Sequence, residues 1–406
     1  MLRAMYLSII RPPVTALAVV CTAAWLLASC SLQQAANLAT SRNPQQALQS
    51  MAQGRVTAYG VNPELLARDI ETARKNFDKL VALLRGEVGK TWGKNEVVVP
   101  SNKNYVKYTQ NYKSRAMVQF ETGEITVETL DENAPDQSLH NAIVTTLLTP
   151  DDPRAVDLYS AKSVELSGTP YLAGLVADHK GRSVDTPTRA EEYATYLVRE
   201  RKQVRTVQTD AGAKQARVVR FRMVSDYSNR QAQRYAPLVE KNAKRFGVSR
   251  SLVYAVMKTE SAFNPYAVSS APAYGLMQLV PSTGGRDAYK YVKGEDHTPT
   301  KEYLFEAENN IELGTAYINM IDQRFLGKIT DPVSREYCTI AAYNGGAGSV
   351  LTLFSSDRAR AVEIINGLPP SKVYQKIRDE HPRDETRRYL LKVLNARKQF
   401  SGATGA

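Results

Sequence analysis

Cysteine is nearly missing from this chain: three among 406 residues, at Cys21, Cys30 and Cys338. Two of them lie within the first thirty positions. Beyond those only Cys338 remains, so no disulfide can staple the rest of the fold. A chain of this length can bury enough core to manage without one. Histidine is scarce as well. His140, His179, His297 and His381 stand apart, with no paired metal-ligand spacing and no cysteine partners, which excludes the usual zinc and transition-metal sites. Gly-rich phosphate loops, internal repeats and Pro- or Ser-rich linkers are also lacking, against nucleotide-loop chemistry and solenoid architectures. No metal and no cofactor is expected.

What is present describes a folded protein. Hydrophobic residues make up 43% and charged residues 23%, a balance that excludes a disordered chain. At roughly 150 residues per domain, the length suggests about two domains. Lysine and arginine number 53 against 41 acids, and the net charge of +12 suits an anionic partner such as nucleic acid, lipid or cell-wall carboxylates. The bases are interleaved with acids, however, as in Arg199-Glu200-Arg201-Lys202 and Asp384-Glu385-Thr386-Arg387-Arg388. Such mixing reads as solvated surface, and no nucleic-acid partner is expected.

The compartment is read from the N-terminus. After Arg3 and Arg11, the apolar run Val14 to Ala28 is too short and too alanine-rich for a comfortable membrane span, and it ends in small residues before a cysteine. That layout is a signal peptide over residues 1–29. Leu27-Ala28-Ser29-Cys30 resembles the lipobox of bacterial lipoproteins, which implies cleavage before Cys30 and lipidation of that residue. Several acyl chains on one residue anchor a protein stably. Ser31, rather than Asp, after the cysteine implies an outer-membrane anchor facing the periplasm. Residues 30–60, rich in Gln, Ala, Asn and Ser, read as the lipidated cysteine and a tether.

Beyond the tether the hydrophobic period changes twice. A helix is predicted from Pro63 to Gly86, with Leu65, Leu66, Ile70, Phe77, Leu80, Val81 and Leu84 at helical spacing. Alternation in Arg115 to Glu121, a Thr122-Gly123 turn, then Ile125 and Val127 predicts a β-hairpin. Further strands are expected at Glu96 to Val99, Tyr105 to Thr109 and Arg217 to Val224, with helices at Asp136 to Leu148 and Pro187 to Lys202. From about Ser228 the signals are almost wholly helical, Gly247 closing a helix through Phe246. The expected fold class is α+β: an N-terminal mixed α/β domain over residues 61–227, then a mainly α-helical domain over 228–406 that should fold alone.

Within the helical part, Ser249 is placed to cap a helix whose stripe is Leu252, Val253, Val256 and Met257. Glu260 continues that stripe three and four residues later. A carboxylate on an apolar face has its charged form disfavoured and its proton affinity raised, the condition for a glycosidic general acid near neutral pH. Alone, such a residue is more often a carboxylate paired with a buried base. Its company changes that reading: Glu260-Ser261-Ala262-Phe263-Asn264-Pro265, then Gly275-Leu276-Met277-Gln278, then Ala342-Tyr343-Asn344-Gly345-Gly346.

These three motifs resemble those of the family 1 lytic transglycosylases, in order and approximate spacing. The resemblance implies a goose-type, lysozyme-like catalytic domain. Beyond the lipobox it covers essentially the whole chain within one group of that family, through Trp92-Gly93, Tyr105 to Thr109, Thr146-Leu147-Leu148, Asp151-Asp152-Pro153 and Arg387-Arg388-Tyr389-Leu390. It implies that Glu260 is acid and base and that Ser261 helps hold its carboxyl group. Met277 and Gln278 would line the saccharide groove, with Tyr343, Asn344 and Tyr389 completing the substrate site. An amide exchanges donor and acceptor bonds with an N-acetyl group, and a thioether packs on a pyranose face. One departure is Pro272, where the family usually has Gly or Asp, and it stiffens that loop.

The implied partner is the glycan strand of peptidoglycan. The implied reaction cleaves the β-1,4 bond between N-acetylmuramic acid and N-acetylglucosamine and leaves 1,6-anhydromuramoyl ends. The motifs match one carboxylate, where hydrolases normally use two. Two alternatives stay open: a lysozyme-like hydrolase in which Asp287 or another acid positions water, and a non-catalytic wall-binding lipoprotein.

Overall fold

The computed structural model describes residues 63–401, with side chains described from residue 71 onward. The expected leader, the expected lipidation site Cys30 and the expected tether lie outside the described residues. The architecture is α+β, a sheet-bearing part followed by a helical part.

The first helix, α1 (Pro63–Trp92), runs beyond Gly86 and stops before Gly93. Gly93 has φ 84°, and a Cβ there would lie 2.3 Å from Gln208 O, so both conformation and close approach require glycine. Strands β1 (Asn104–Thr109), β2 (Ser114–Gln119) and β3 (Glu124–Thr129) form a meander, and helix α2 (Pro135–Leu148) follows. After α3 (Pro187–Glu200), strands β4 (Gln203–Thr209) and β5 (Gly212–Arg222) complete an antiparallel sheet of order β1-β2-β3-β5-β4.

Both faces of the sheet are covered. One carries Ala116, Val118, Ile125, Val127, Val219 and Phe221 against Leu139, Ile143 and Leu147 of α2 and Ala194 and Leu197 of α3. On the other, Val106, Tyr108, Val207 and Val218 pack on Leu84, Val88 and Trp92 of α1. Among the polar partners in the β2 alternation, Arg115 is buried too, whereas Gln119 and Glu121 are exposed. Arg115, 2% exposed, stacks 4.0 Å over Trp92 and reaches Glu128 at 3.2 Å and Glu96 at 3.1 Å. Arg205 closes the group, 2.8 Å from both carboxylates.

Two expectations in this part need correction. Glu96 to Val99 is not a strand: a short 3-10 turn at Lys94–Glu96 precedes extended chain. Tyr108 Oη donates to Val98 O at 2.9 Å and accepts from Val98 N at 3.2 Å, satisfying the backbone without a ladder. Strand β4 was not anticipated. It is a sheet-edge strand with only Val207 fully buried, so it lacks an alternating apolar face.

Helices α4 (Tyr227–Arg234), α5 (Ala236–Phe246) and α6 (Arg250–Ser261) open the helical part. Gly247 ends α5 in the left-handed region, and Ser249 Oγ caps α6 by accepting from Leu252 N at 3.3 Å. Then come α7 (Arg286–Lys293), α8 (Lys301–Phe305), α9 (Ala307–Met320), α10 (Pro332–Gly345), α11 (Ala347–Thr352), α12 (Arg358–Gly367), α13 (Pro370–Glu380) and α14 (Asp384–Ser401). Their shared core includes Val253, Val256 and Met257 of α6, Ile340 and Ala341 of α10, and Leu390 and Val393 of α14. The long α14 packs along α6, which brings Tyr389 to Glu260.

The two parts share a core as well. Ala262 and Tyr266 belong to the sheet-side cluster, where the Tyr266 ring lies 5.1 Å from Tyr105 and 5.3 Å from Tyr171. Tyr266 Oη donates to Pro150 O, and Arg234 donates to Tyr171 O at 2.9 Å and Ala173 O at 2.8 Å.

Candidate active site

Glu260 stands one residue from the end of α6, with a partly buried side chain. The chain leaves the helix through Ala262 (φ 50°) and Phe263 (φ 63°), both left-handed without being glycine. Each such conformation costs of order 1 kcal/mol and must be held by its surroundings. Ser261 supplies part of that hold. Its hydroxyl lies 2.8 Å from Leu276 O and 3.0 Å from Met257 O and accepts from Phe263 N at 3.1 Å. This corrects the expectation that Ser261 grips the Glu260 carboxyl group: fully buried, it ties the helix end to the next motif.

That motif is a tight turn built on Gly275. Gly275 has φ 78°, and a Cβ there would lie 2.4 Å from both Asn310 Nδ2 and Leu304 O. Asn310, fully buried on α9, accepts from Met277 N at 2.8 Å and donates to Leu304 O at 2.7 Å and Tyr274 O at 2.9 Å. Sequence reasoning passed over Asn310, although a lone amide inside the apolar stripe Ile311, Leu313 and Ala316 signals a buried, fully bonded group.

Met277 is likewise not where the resemblance implied. Its side chain has no exposed surface and presses on α9, where a Cβ on Gly314 would meet its sulfur at 2.3 Å. A thioether buried this way cannot pack on a sugar. Its carbonyl instead accepts from Tyr343 Oη at 2.9 Å. Gln278 is partly exposed at φ 50°, its amide donating to Ala267 O at 3.0 Å and Gly275 O at 2.9 Å. Asn344 lies in the last turn of α10, accepting from Thr386 Oγ1 at 2.8 Å and donating to Glu385 Oε1 at 3.2 Å. Pro272 sits in a loop closed by Ser269 N on Ala273 O at 3.2 Å. Asp287, the acid considered for water activation, stands exposed on α7.

The carboxyl group itself receives one short bond, from Tyr389 Oη to Oε1 at 2.8 Å. Desolvation pushes the Glu260 pKa from 4.5 up to about 7. The Tyr389 bond opposes that rise, Glu385 adds to it and Lys103 draws it down. Burial holds the phenols of Tyr343 and Tyr389 well above their ordinary range, so each is a hydrogen-bond donor at neutral pH. Cys338 is buried with its thiol pushed up to about 12, an inert core group.

Residues 70–234 match the membrane-bound lytic murein transglycosylase C N-terminal domain, and residues 237–366 match the transglycosylase SLT domain. Membrane-bound lytic murein transglycosylase C of Serratia proteamaculans is 44% identical over 325 residues, covering 80% of this chain and 89% of that protein. The chain belongs to this family. Its relative from Sodalis glossinidius is also 44% identical, over 80% of this chain and 90% of its own. Among solved structures, the 70 kDa soluble lytic transglycosylase of Escherichia coli aligns at 26% identity with a TM-score of 0.34. That alignment covers 42% of this chain and 24% of the solved one. The family carries the activity read from the motifs: this chain is a peptidoglycan lytic transglycosylase, and its relatives are membrane-bound.

Proposed function

We propose that Glu260 is the acid and then the base of a non-hydrolytic cleavage of the bond between N-acetylmuramic acid and N-acetylglucosamine. The observation that carries this reading is a carboxyl group desolvated to a pKa of about 7 with a single phenol as its close partner. Tyr389 occupies Oε1, and the acidic proton rides on Oε2. Glu260 gives that proton to the glycosidic oxygen as the C1–O bond breaks, and the muramoyl acetamide stabilises the positive charge at C1. The resulting carboxylate takes the proton from the C6 hydroxyl, whose oxygen bonds to C1 and closes the 1,6-anhydro ring. The proton taken replaces the one given, and no water is consumed.

Gln278 and Asn344, both partly exposed, are the proposed saccharide contacts. Ser261, Met277 and Tyr343 support the turn that carries Gln278. The catalytic domain is taken as residues 228–406 and the N-terminal domain as 61–227. Cys30, lipidated after removal of residues 1–29, is the proposed anchor in the outer membrane, with the domains facing the periplasm. Replacing Cys30 with Ala should move the protein from the membrane fraction to the soluble one; unchanged retention contradicts the anchor.

The test of the chemistry is digestion of purified peptidoglycan with matched amounts of folded wild type and Glu260→Gln. Wild type should release anhydromuropeptides, and the variant should lose more than the roughly 10²–10⁴-fold typical of one acid or base step. A variant keeping more than about a tenth of wild-type activity, far above that expectation, rules out Glu260 as the acid. Reducing ends would instead reveal a hydrolase, and no new ends a binding lipoprotein.

A further inference from the structure

The sheet-bearing part of the chain bonds to the backbone of Glu260 through the side chain of Asn102. Asn102, in the turn before β1, donates from Nδ2 to Glu260 O at 2.7 Å, across 158 residues of sequence. The contact is reciprocal. Asn264, fully buried directly after the left-handed pair Ala262 and Phe263, donates to Asn102 O at 3.1 Å and also faces Ser101 O at 3.4 Å.

Glu260 O is one of the last carbonyls of α6, which the helix ladder cannot satisfy. The helix ends at Ser261 and the following backbone turns away through two strained residues, so no further helical turn fixes that carbonyl. At the other end of the side chain, Tyr389 fixes only the carboxyl tip. Between tip and backbone lie the rotatable bonds of a glutamate. Holding both ends restricts the carboxyl group, and Asn102 acts directly on the Glu260 backbone beside the tie that Ser261 makes to the next motif. Lys103, next in the same turn, acts on the Glu260 carboxyl and is itself tied to Glu121 at 2.7 Å.

We propose that Asn102 is a positioning residue for the transglycosylase reaction, so that the sheet-bearing domain completes the active centre by clamping the backbone of Glu260. This rests on the reading of Glu260 as the acid. It assigns the N-terminal domain a part in turnover that a spacer or wall-binding module would not have.

The test uses the full-length mature protein with soluble uncrosslinked glycan strands, measuring kcat, KM and melting temperature for Asn102→Ala, Asn102→Leu, Asn102→His and Glu260→Gln. Leu fills the amide's space without a donor, and His can place Nδ1–H where the amide N–H stood. Misplacing a reacting group by about 1 Å costs of order 10²-fold. The Ala and Leu variants should therefore lose about 10- to 100-fold in kcat with KM within about twofold of wild type, and His should recover most of the loss. Unchanged kcat in both Ala and Leu variants overturns the proposal. So does a loss confined to KM, which marks a glycan contact, or a loss that merely follows the fraction unfolded at the assay temperature. Activity retained in Glu260→Gln sinks the underlying reading whatever the Asn102 variants do, so the two failures are distinct.

Discussion

Glu96 beside the sheet and Glu260 at the end of α6 are the same residue in opposite company. Glu96 accepts two bonds from Arg205 at 2.8 Å and one from Arg115 at 3.1 Å, and the Arg205 bonds above all hold its pKa below the ordinary 4.5. Glu260 has a phenol at 2.8 Å, a carboxylate in Glu385 and a more distant lysine, and desolvation lifts it to about 7. Withdrawal from water is common to both. Guanidinium partners turn one into a fixed charge that organises a sheet, and their absence leaves the other able to hold and release a proton near neutrality.

The largest stability effect should come from breaking the paired side. Arg115→Met leaves the buried Glu128 and the half-buried Glu96 with Arg205 alone, and loss of one partner from a buried pair costs about 3–5 kcal/mol. Chemical denaturation at pH 7 should register most of that loss. A change below about 1 kcal/mol, the surface-pair range, would mean the group is solvated.

The unpaired side should respond with opposite sign. Because the folded Glu260 pKa lies above its unfolded value, its contribution to stability is present below about 4.5 and is lost as pH rises through about 7. The shift corresponds to about 3 kcal/mol. Glu260→Gln should therefore be more stable than wild type at pH 8 by up to about that amount, relative to the difference at pH 4. Glu96 behaves conversely: its contribution is present above 4.5 and fades as pH falls through its lowered pKa. Equal pH dependence in wild type and Glu260→Gln would erase the contrast.

Local signals in the sequence carried much of this molecule. The Ser249 cap, the α6 stripe and the position of Glu260 on it follow from helical period, and the β2–β3 hairpin follows from alternation around Gly123. What failed depended on contacts distant in sequence. Met277 looked like a groove residue because its motif is functional, but α9 needs its volume against Gly314. Ser261 adjoins the carboxyl group in sequence, yet its hydroxyl faces Leu276 on another loop. Asn102 carried no local signal, since its partner lies in the other part of the chain. The stretch from Glu96 to Val99 looked like a strand until the Tyr108 hydroxyl took the polar groups of Val98.

The central claim is that Glu260 stays protonated near neutrality because water is withdrawn and no guanidinium replaces it. It is tested most directly by titrating the Glu260 carboxyl carbon in ¹³C-glutamate-labelled protein by NMR, with Glu260→Gln assigning the resonance. The account predicts a midpoint near about 7, in step with the alkaline loss of kcat/KM. A midpoint near the ordinary 4.5 would contradict it.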